Sequence, residues 1–574
     1  MTRTLHMIGN AHIDPVWLWQ WPEGYQEVRA TFQSAVDRLD EYPDFVFTCD
    51  SSLFFAWVEE SDPDLFEQIR RRIAEGRFHV VGGWWVEPDC NLPGGESFVR
   101  HALYGQRYLH DRFGVTATVG ANLDSFGHNA TIPQILAKSG CDSYVFLRPG
   151  PQEKELEAPL FWWESPDGSR VLAYRIPHEY CAPKDDLGEH VEKAVASLPD
   201  GDGEYAVFYG VGNHGGGPTK ANIEQVARLG LRPSSLRAFF DAVSADGADR
   251  PVLRGELQHH SPGCYTTHSG IKRWNRRAES LLLRAEKWCA VADSLGLRPY
   301  PHEELTQAWK LVLFNQFHDT LAGTSIEPAY EDARDQLGHA SSLAATAFNA
   351  AAQSIARQIA IEEEAEESRP VVVFNPHAWP LRADVELEYT WTRPQGHHLV
   401  DDEGEPVPMQ TTRPLTTMSG MRSRFAFPVE VPPLGYRLYR VRLGAVEEEA
   451  IGCSDTHLEN AHVRLELDPA TGRIATLVHK SSGADLASPG SGHAVVIDDR
   501  SDTWGHGVVA YDREAGEFES TGVRLLESGP VRGIVRVESR YGASTLREDY
   551  VLAAEARYVD VRIALDWREP LQLL

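Results

Sequence analysis

From the first residue to about residue 270, short apolar runs alternate with longer amphipathic stretches, and no other feature narrows the possible folds so far. Leu5 to Gly9, Phe45 to Thr48, Phe78 to Gly83, Thr118 to Leu123, Ser143 to Leu147 and Tyr205 to Gly210 read as buried strands. Helical patterns such as Pro63 to Glu75 and Ser97 to Phe113 lie between several of them. Parallel strands need crossovers, so this rhythm predicts an α/β sheet or barrel. In such folds chemistry gathers where strands give way to loops at their carboxyl ends.

The rhythm then changes twice. Lys272 to Leu295, Glu303 to Phe317 and Tyr330 to Ile361 carry apolar residues at three- and four-residue intervals, which predicts a packed helical bundle. The acidic run Glu362 to Ser368 reads as a solvated helix end and linker. From Val371 the period becomes two, with strands at Val371–Phe374, Phe425–Val431, Tyr436–Leu443, His462–Leu467, Val531–Ser539 and Val559–Ala564, as in β-sandwiches. A chain of 574 residues exceeds one core, and the expected division is 1–270 α/β, 271–368 helical, 369–447 small sandwich and 448–574 larger sandwich. The last of these ends soon after a strand, so an incomplete sheet in a truncated polypeptide is expected.

A formal net charge of −29 with no basic stripe excludes nucleic acid and anionic membranes as natural partners. There is no run of eighteen apolar residues and no basic-then-apolar leader, so a cytoplasmic protein is expected. The seven cysteines are scattered and odd in number, which fits neither a disulfide framework nor a thiolate zinc site. Any metal here must take nitrogen and oxygen ligands.

Such ligands stand at strand ends. Asn10-Ala11-His12-Ile13-Asp14-Pro15-Val16-Trp17 follows the first strand, and residues two apart on extended backbone share a side, so His12 and Asp14 can share an ion. Gly82 to Asp89, Asp124 to Asn129 and Gly212 to Thr219 follow other strands, making four polar ends of one expected sheet. The second helix of the bundle ends in Asn315 to Thr320, able to bring His318 and Asp319 from outside that sheet.

The placement of these pieces resembles glycoside hydrolase family 38, the retaining, zinc-dependent α-mannosidases. His12-Ile13-Asp14-Pro15-Val16-Trp17 resembles the family's first metal motif, Asp124 to Pro133 its nucleophile motif, and Phe317 to Thr324 its last metal motif. The resemblance covers nearly the whole chain. It implies an α/β domain, a three-helix domain and β-sandwiches. It also implies that His12, Asp14, Asp124 and His318 bind one zinc per chain, a donor set that Co²⁺ or Mn²⁺ also suits. Asp124 would double as the nucleophile that forms a glycosyl-enzyme, Trp17 would lie under the sugar ring, and Asp319 would contact sugar hydroxyls. Trp19 and Trp21 are expected to pack. The substrate implied is an α-mannoside or mannose-containing oligosaccharide, and the assembly implied is a homo-oligomer.

The chemistry is coherent. A retaining glycosidase needs a carboxylate near the anomeric carbon and an acid across the bond, about 5–5.5 Å apart in most families. Mannose carries a vicinal cis pair of hydroxyls at C2 and C3 that can chelate a metal with open positions. The acid is less plain, because relatives resembling this chain often carry Asp where Asn213 stands here. His214, or Glu87 and Asp89 at another strand end, are the candidates. His128 either orients Asp124 or backs the metal ligands from behind, or it packs. Tyr265, Thr266, Thr267, Lys272, Asn275 and Arg276 resemble a segment near the pocket and take no role from sequence. Two other functions remain open: a metal-dependent carbohydrate deacetylase using metal-bound water, and a mannoside-binding homologue with weak or no turnover.

Overall fold

The computed structural model describes residues 3–258, 260–362, 368–390, 396–416, 422–446 and 449–574. The expected linker residues 363–367 lie outside them. The chain divides into two compact units, Met1–Ala351 with Asp502–Gly507, and Ala352–Ser501 with Val508–Leu574.

The first unit carries ten strands: β1 (Arg3–Asn10), β2 (Phe47–Ser51), β3 (Phe78–Trp84), β4 (Val119–Asn122), β5 (Ser143–Phe146), β6 (Leu160–Glu164), β7 (Arg170–Arg175), β8 (Gly203–Tyr209), β9 (Arg232–Pro233) and β10 (Val252–Arg254). The six strands expected from apolar runs are present, with ends moved by up to three residues. The α/β rhythm produces two five-stranded sheets, one ordered β3-β2-β1-β8 with β9 on β1, the other β10-β6-β7-β5-β4. Pairing is parallel from Arg3↔Gly203 to Gly9↔Tyr209 between β1 and β8. It is antiparallel only between β6 and β7, where Leu160 faces Tyr174.

The four polar strand ends therefore belong to two sheets, which corrects the expectation of one: β1, β3 and β8 end in the first, β4 in the second. The seam between β3 and β4 is closed by side chains instead of a continuous ladder. Trp84 Nε1 donates to Asn122 Oδ1 at 3.0 Å, and Asn122 Nδ2 donates to Ser125 Oγ at 3.1 Å. Beyond the strands, Cys90 and His128 form an isolated parallel bridge. Phe32, Phe47, Phe55 and Phe78 pack beneath the first sheet, with Phe32 and Phe55 ring centroids 5.1 Å apart, each burial worth roughly 1.5–3 kcal/mol.

Three long helices follow, Ser269–Ser294, His302–Phe314 and Glu327–Ala356. The first buries Ile271, Ala278, Leu282 and Ala285 at helical spacing, in one cluster with Leu305, Trp309, Val312, Leu337 and Ala340. The second stops at Phe314, short of the expected Phe317. A separate five-residue helix, His318–Ala322, carries the next motif.

The second unit is antiparallel. Arg369–Phe374 pairs with Tyr436–Leu443, and Leu381–Thr390 with Arg422–Val431. Its last four-stranded sheet ends in Asp560–Asp566, an exposed edge strand. Among the described residues no helix is long and apolar enough to cross a membrane. All seven cysteines are free thiols.

Candidate metal and catalytic site

His12 and Asp14 leave the end of β1 on a segment held by β8's loop, where Asp14 N donates to Asn213 O at 2.8 Å and Ile13 bridges Asn213. Trp19 Nε1 donates to Asp14 O at 3.0 Å from the other side. Asp124 stands two residues beyond β4. His318 opens the short helix, which Gly323 closes with φ +93°; a Cβ there would lie 2.5 Å from Thr267 O, so glycine is required. The break before His318 is set by Gln316, whose buried amide donates to Asn275 Oδ1 at 2.8 Å and Glu279 Oε1 at 3.0 Å.

These elements bring His12, Asp14, Asp124 and His318 together, with one donor atom from each lying within 4.8 Å of all the others. His12 Nε2 is 2.9 Å from Asp14 Oδ1 and 3.6 Å from Asp124 Oδ2. His318 Nε2 is 3.8 Å from each of the same two oxygens. Ligand bonds of 2.0–2.2 Å in tetrahedral array put neighbouring donors about 3.4 Å apart, so these separations bracket the span an ion would impose. His318 Nε2 is buried without a hydrogen-bond partner, an orphaned lone pair that a metal bond would satisfy. The buried surroundings are acidic too. Asp50, Glu87 and Asp319 add three carboxylates to the two in the cluster, an excess that favours a cation.

The electrostatics follow. Burial alone would lower the His12 imidazole, but Asp14, Glu87 and Asp50 more than offset it and push it up to about 9. Burial and the facing Glu87 charge raise Asp50 to about 7, while the two imidazoles draw Glu87 down against its own burial. The proton of that carboxylate pair therefore sits on Asp50. Asp319 is raised to about 7 by burial and by Asp14. Its Oδ2 lies 3.6 Å from His318 Nε2, on the cluster side, and Thr324 Oγ1 donates to its other oxygen.

Other expected residues lie where sequence did not put them. Glu87 is not aimed at open space but sits under the cluster, accepting from Asp124 N at 2.7 Å and Ser125 N at 3.0 Å. Asp89 accepts from Asn91 N and Leu92 N, both at 2.8 Å, as a buried turn residue. His214 makes its ring contacts away from the four: Nε2 is 2.9 Å from Glu23 Oε1, and the ring stacks on Trp19 at 4.0 Å. Asn213 Oδ1 accepts from Tyr180 OH at 2.9 Å, and the Tyr180 ring lies 5.0 Å from that of His12. Trp17 is half-buried and meets Trp19 edge-on at 5.9 Å; its carbonyl accepts from Ile326 N, which ties it to the segment after Gly323.

His128 packs. Burial holds it near 4 and so neutral, with Nε2 2.8 Å from Arg148 O, and Arg148 in turn forms an ion pair with Asp124. The 265–276 segment is scaffold: Lys272 Nζ donates to Ala322 O at 2.9 Å at the end of the short helix, and Asn275 holds Gln316. Asp50, Arg148 and Tyr180 escaped the sequence reading. Asp50 lies within β2 near its end and Arg148 stands two residues beyond β5, whereas Tyr180 lies in a loop with no pattern to mark it.

Comparison with known proteins decides the family. The chain matches the glycosyl hydrolases family 38 N-terminal domain over residues 2–256, the alpha mannosidase middle domain over 259–355 and the glycosyl hydrolases family 38 C-terminal domain over 458–574. It belongs to glycoside hydrolase family 38. Alpha-mannosidase 2C1 of Homo sapiens is 31% identical over 505 residues, covering 85% of this chain and 45% of that protein. Alpha-mannosidase G of Dictyostelium discoideum is 26% identical, covering 99% of this chain and 55% of its own. This family 38 chain thus spans about half the length of the curated relatives it matches. A solved alpha-mannosidase from Enterococcus faecalis V583 superposes with a TM-score of 0.82 at 15% identity, over 100% of this chain and 74% of that one, a likeness of fold.

Proposed function

We propose that this family 38 chain is a retaining, zinc-dependent exo-α-mannosidase, acting on α-mannosides or mannose-containing oligosaccharides through a glycosyl-enzyme on Asp124. The observation that carries the reading is the convergence of His12, Asp14, Asp124 and His318 on one buried point. The names of the curated relatives support the substrate class. When bound, zinc would supply a Lewis-acidic anchor for the vicinal cis hydroxyls of mannose. Asp124 then attacks C1 from the face opposite the leaving group, Arg148 holds its second oxygen, Asp319 receives sugar hydroxyls and Trp17 takes the ring face. A homo-oligomeric assembly and a cytoplasmic site of action belong to the same proposal.

Chelator-dialysed protein is expected to release no chromophore from an aryl α-mannoside and to regain activity on adding zinc, with Co²⁺ and Mn²⁺ as the other ions to try. No release under any metal condition would refute hydrolysis and leave a mannoside-binding protein, a reading that Asn213 at the usual acid position favours.

For the proton donor we propose His214, an imidazole that is half-exposed, on the loop after β8, with Glu23 Oε1 2.9 Å from its Nε2. His214→Ala is expected to lower kcat by about 10²–10⁴ on an alkyl mannoside. The loss should be far smaller on an aryl mannoside whose leaving group needs no proton. Equal, small losses on both would move the acid elsewhere.

A further inference from the structure

Glu87 reaches all three motifs of the cluster. It follows β3 by three residues, is 2% exposed, and its backbone N donates to Ser51 Oγ at 3.2 Å. Its Oε2 lies 3.5 Å from His12 Nδ1 and its Oε1 3.7 Å from His318 Nδ1. The same Oε1 accepts from Asp124 N at 2.7 Å, Ser125 N at 3.0 Å and Ser125 Oγ at 3.3 Å. Its own carbonyl stands 3.3 Å from His318 Nδ1. The next residues fix it from outside: Pro88 bridges Phe317, Asp89 N donates to Gln316 O at 2.9 Å, and Ser125 Oγ donates to Pro88 O at 2.8 Å.

We infer that Glu87 is the positioning residue of the metal centre. Behind the cluster, the Glu87 carboxylate accepts from the peptide N–H of Asp124 and lies in ion-pair range of the Nδ1 edges of both imidazoles, while its main-chain carbonyl is the hydrogen-bond partner of His318 Nδ1, so that both Nε2 atoms and the Asp124 side chain face one point. A carboxylate accepting from Nδ1–H fixes which ring nitrogen is free to ligate and raises its basicity. Here one residue serves two rings, by its carboxylate charge beside His12 Nδ1 and by its main-chain carbonyl at His318 Nδ1. It also anchors the strand end of the third ligand, so the geometry of the centre depends on a residue that touches neither ion nor sugar.

This inference rests on the reading of the four residues as a metal centre, and the test separates the two. Purified full chain, stripped and titrated with zinc against a chromogenic chelator, gives the affinity directly without any activity assay. Glu87→Gln keeps the volume and loses the charge; it is expected to keep the wild-type melting temperature within a few degrees and to bind zinc about 10–100-fold more weakly. Glu87→Asp, shorter but charged, is expected to hold zinc more tightly than Glu87→Gln, the reverse of what a packing role would give. If Glu87→Gln does not fold, Glu87→Asp decides alone: affinity within about tenfold of wild type supports the inference, and loss of zinc by the folded variant overturns it. Wild-type zinc affinity in Glu87→Gln overturns the inference and leaves the metal centre standing. Absence of zinc binding in the wild type removes both.

Discussion

Asp124→Gly is expected to lower kcat on an aryl α-mannoside by on the order of 10⁴-fold or more, because it deletes the group that would form the covalent bond. Azide should then restore part of the turnover. The deleted carboxylate leaves room at the end of β4 beside Arg148, whose guanidinium pairs with Asp124 in the intact protein and would face the anion in the variant. Azide entering from that side attacks the face Asp124 would have attacked, so the product is a β-mannosyl azide, inverted relative to the substrate. Mass spectrometry and NMR of the product check this. A metal-dependent deacetylase also loses activity on losing a ligand, yet it has no anomeric vacancy to fill and gives no glycosyl azide. A variant that keeps a tenth of wild-type kcat, or one that azide rescues only to mannose, sinks the covalent mechanism.

What the sequence disclosed and what it hid have separate physical causes. His12, Asp14 and Asp124 were legible as polar side chains placed after apolar strands, with an extended backbone fixing the shared side of His12 and Asp14, and His318 as a polar residue at the end of a helical run; that the four form one set came from the resemblance to family 38. Domain-level change was legible for the same reason: the apolar period passes from mixed to helical to two. The seam between β3 and β4 was not, because strand propensity says which residues extend and nothing about which edges pair. Trp84, Asn122 and Ser125, which close it, are ordinary packing or loop residues until the two sheets are brought together. Glu87 shows the same limit. Its type and position at a strand end marked it as chemically active, but its direction, inward beneath the ligands instead of outward to a leaving group, depends on Ser51, Pro88 and the Asp124 backbone, all remote in sequence. The end of the second bundle helix was misplaced because apolar spacing runs on through Phe317, while the buried amide of Gln316 finds better partners by leaving the helix.

His318→Ala is expected to abolish activity through the ion, and the geometry says why this ligand is the sensitive one. The other three residues of the proposed zinc centre come from the strand ends of β1 and β4, but His318 comes from a five-residue helix that reaches them through the Gln316 break and the Gly323 turn. It is fully buried, and its Nε2 meets Asp14, Asp124 and Asp319 oxygens at 3.6–3.8 Å with no other partner. Removing the imidazole leaves one nitrogen donor and several carboxylates, a set that suits harder cations better than zinc. Zinc affinity is therefore expected to fall by more than about 100-fold, beyond the range for loss of a supporting hydrogen bond. Stability gives a second readout. An ion that binds only the folded chain stabilises it by about 2.7 kcal/mol when present at a hundred times Kd, so zinc should raise the melting temperature of the wild type and leave that of His318→Ala unmoved. Because Gln316, Asn275 and Glu279 keep their hydrogen bonds without the imidazole, the stripped variant and stripped wild type should melt within a few degrees of each other. A His318→Ala protein that retains wild-type zinc content, or whose melting temperature still climbs with zinc, would show that the ion is held elsewhere and that the sugar is not gripped at this point.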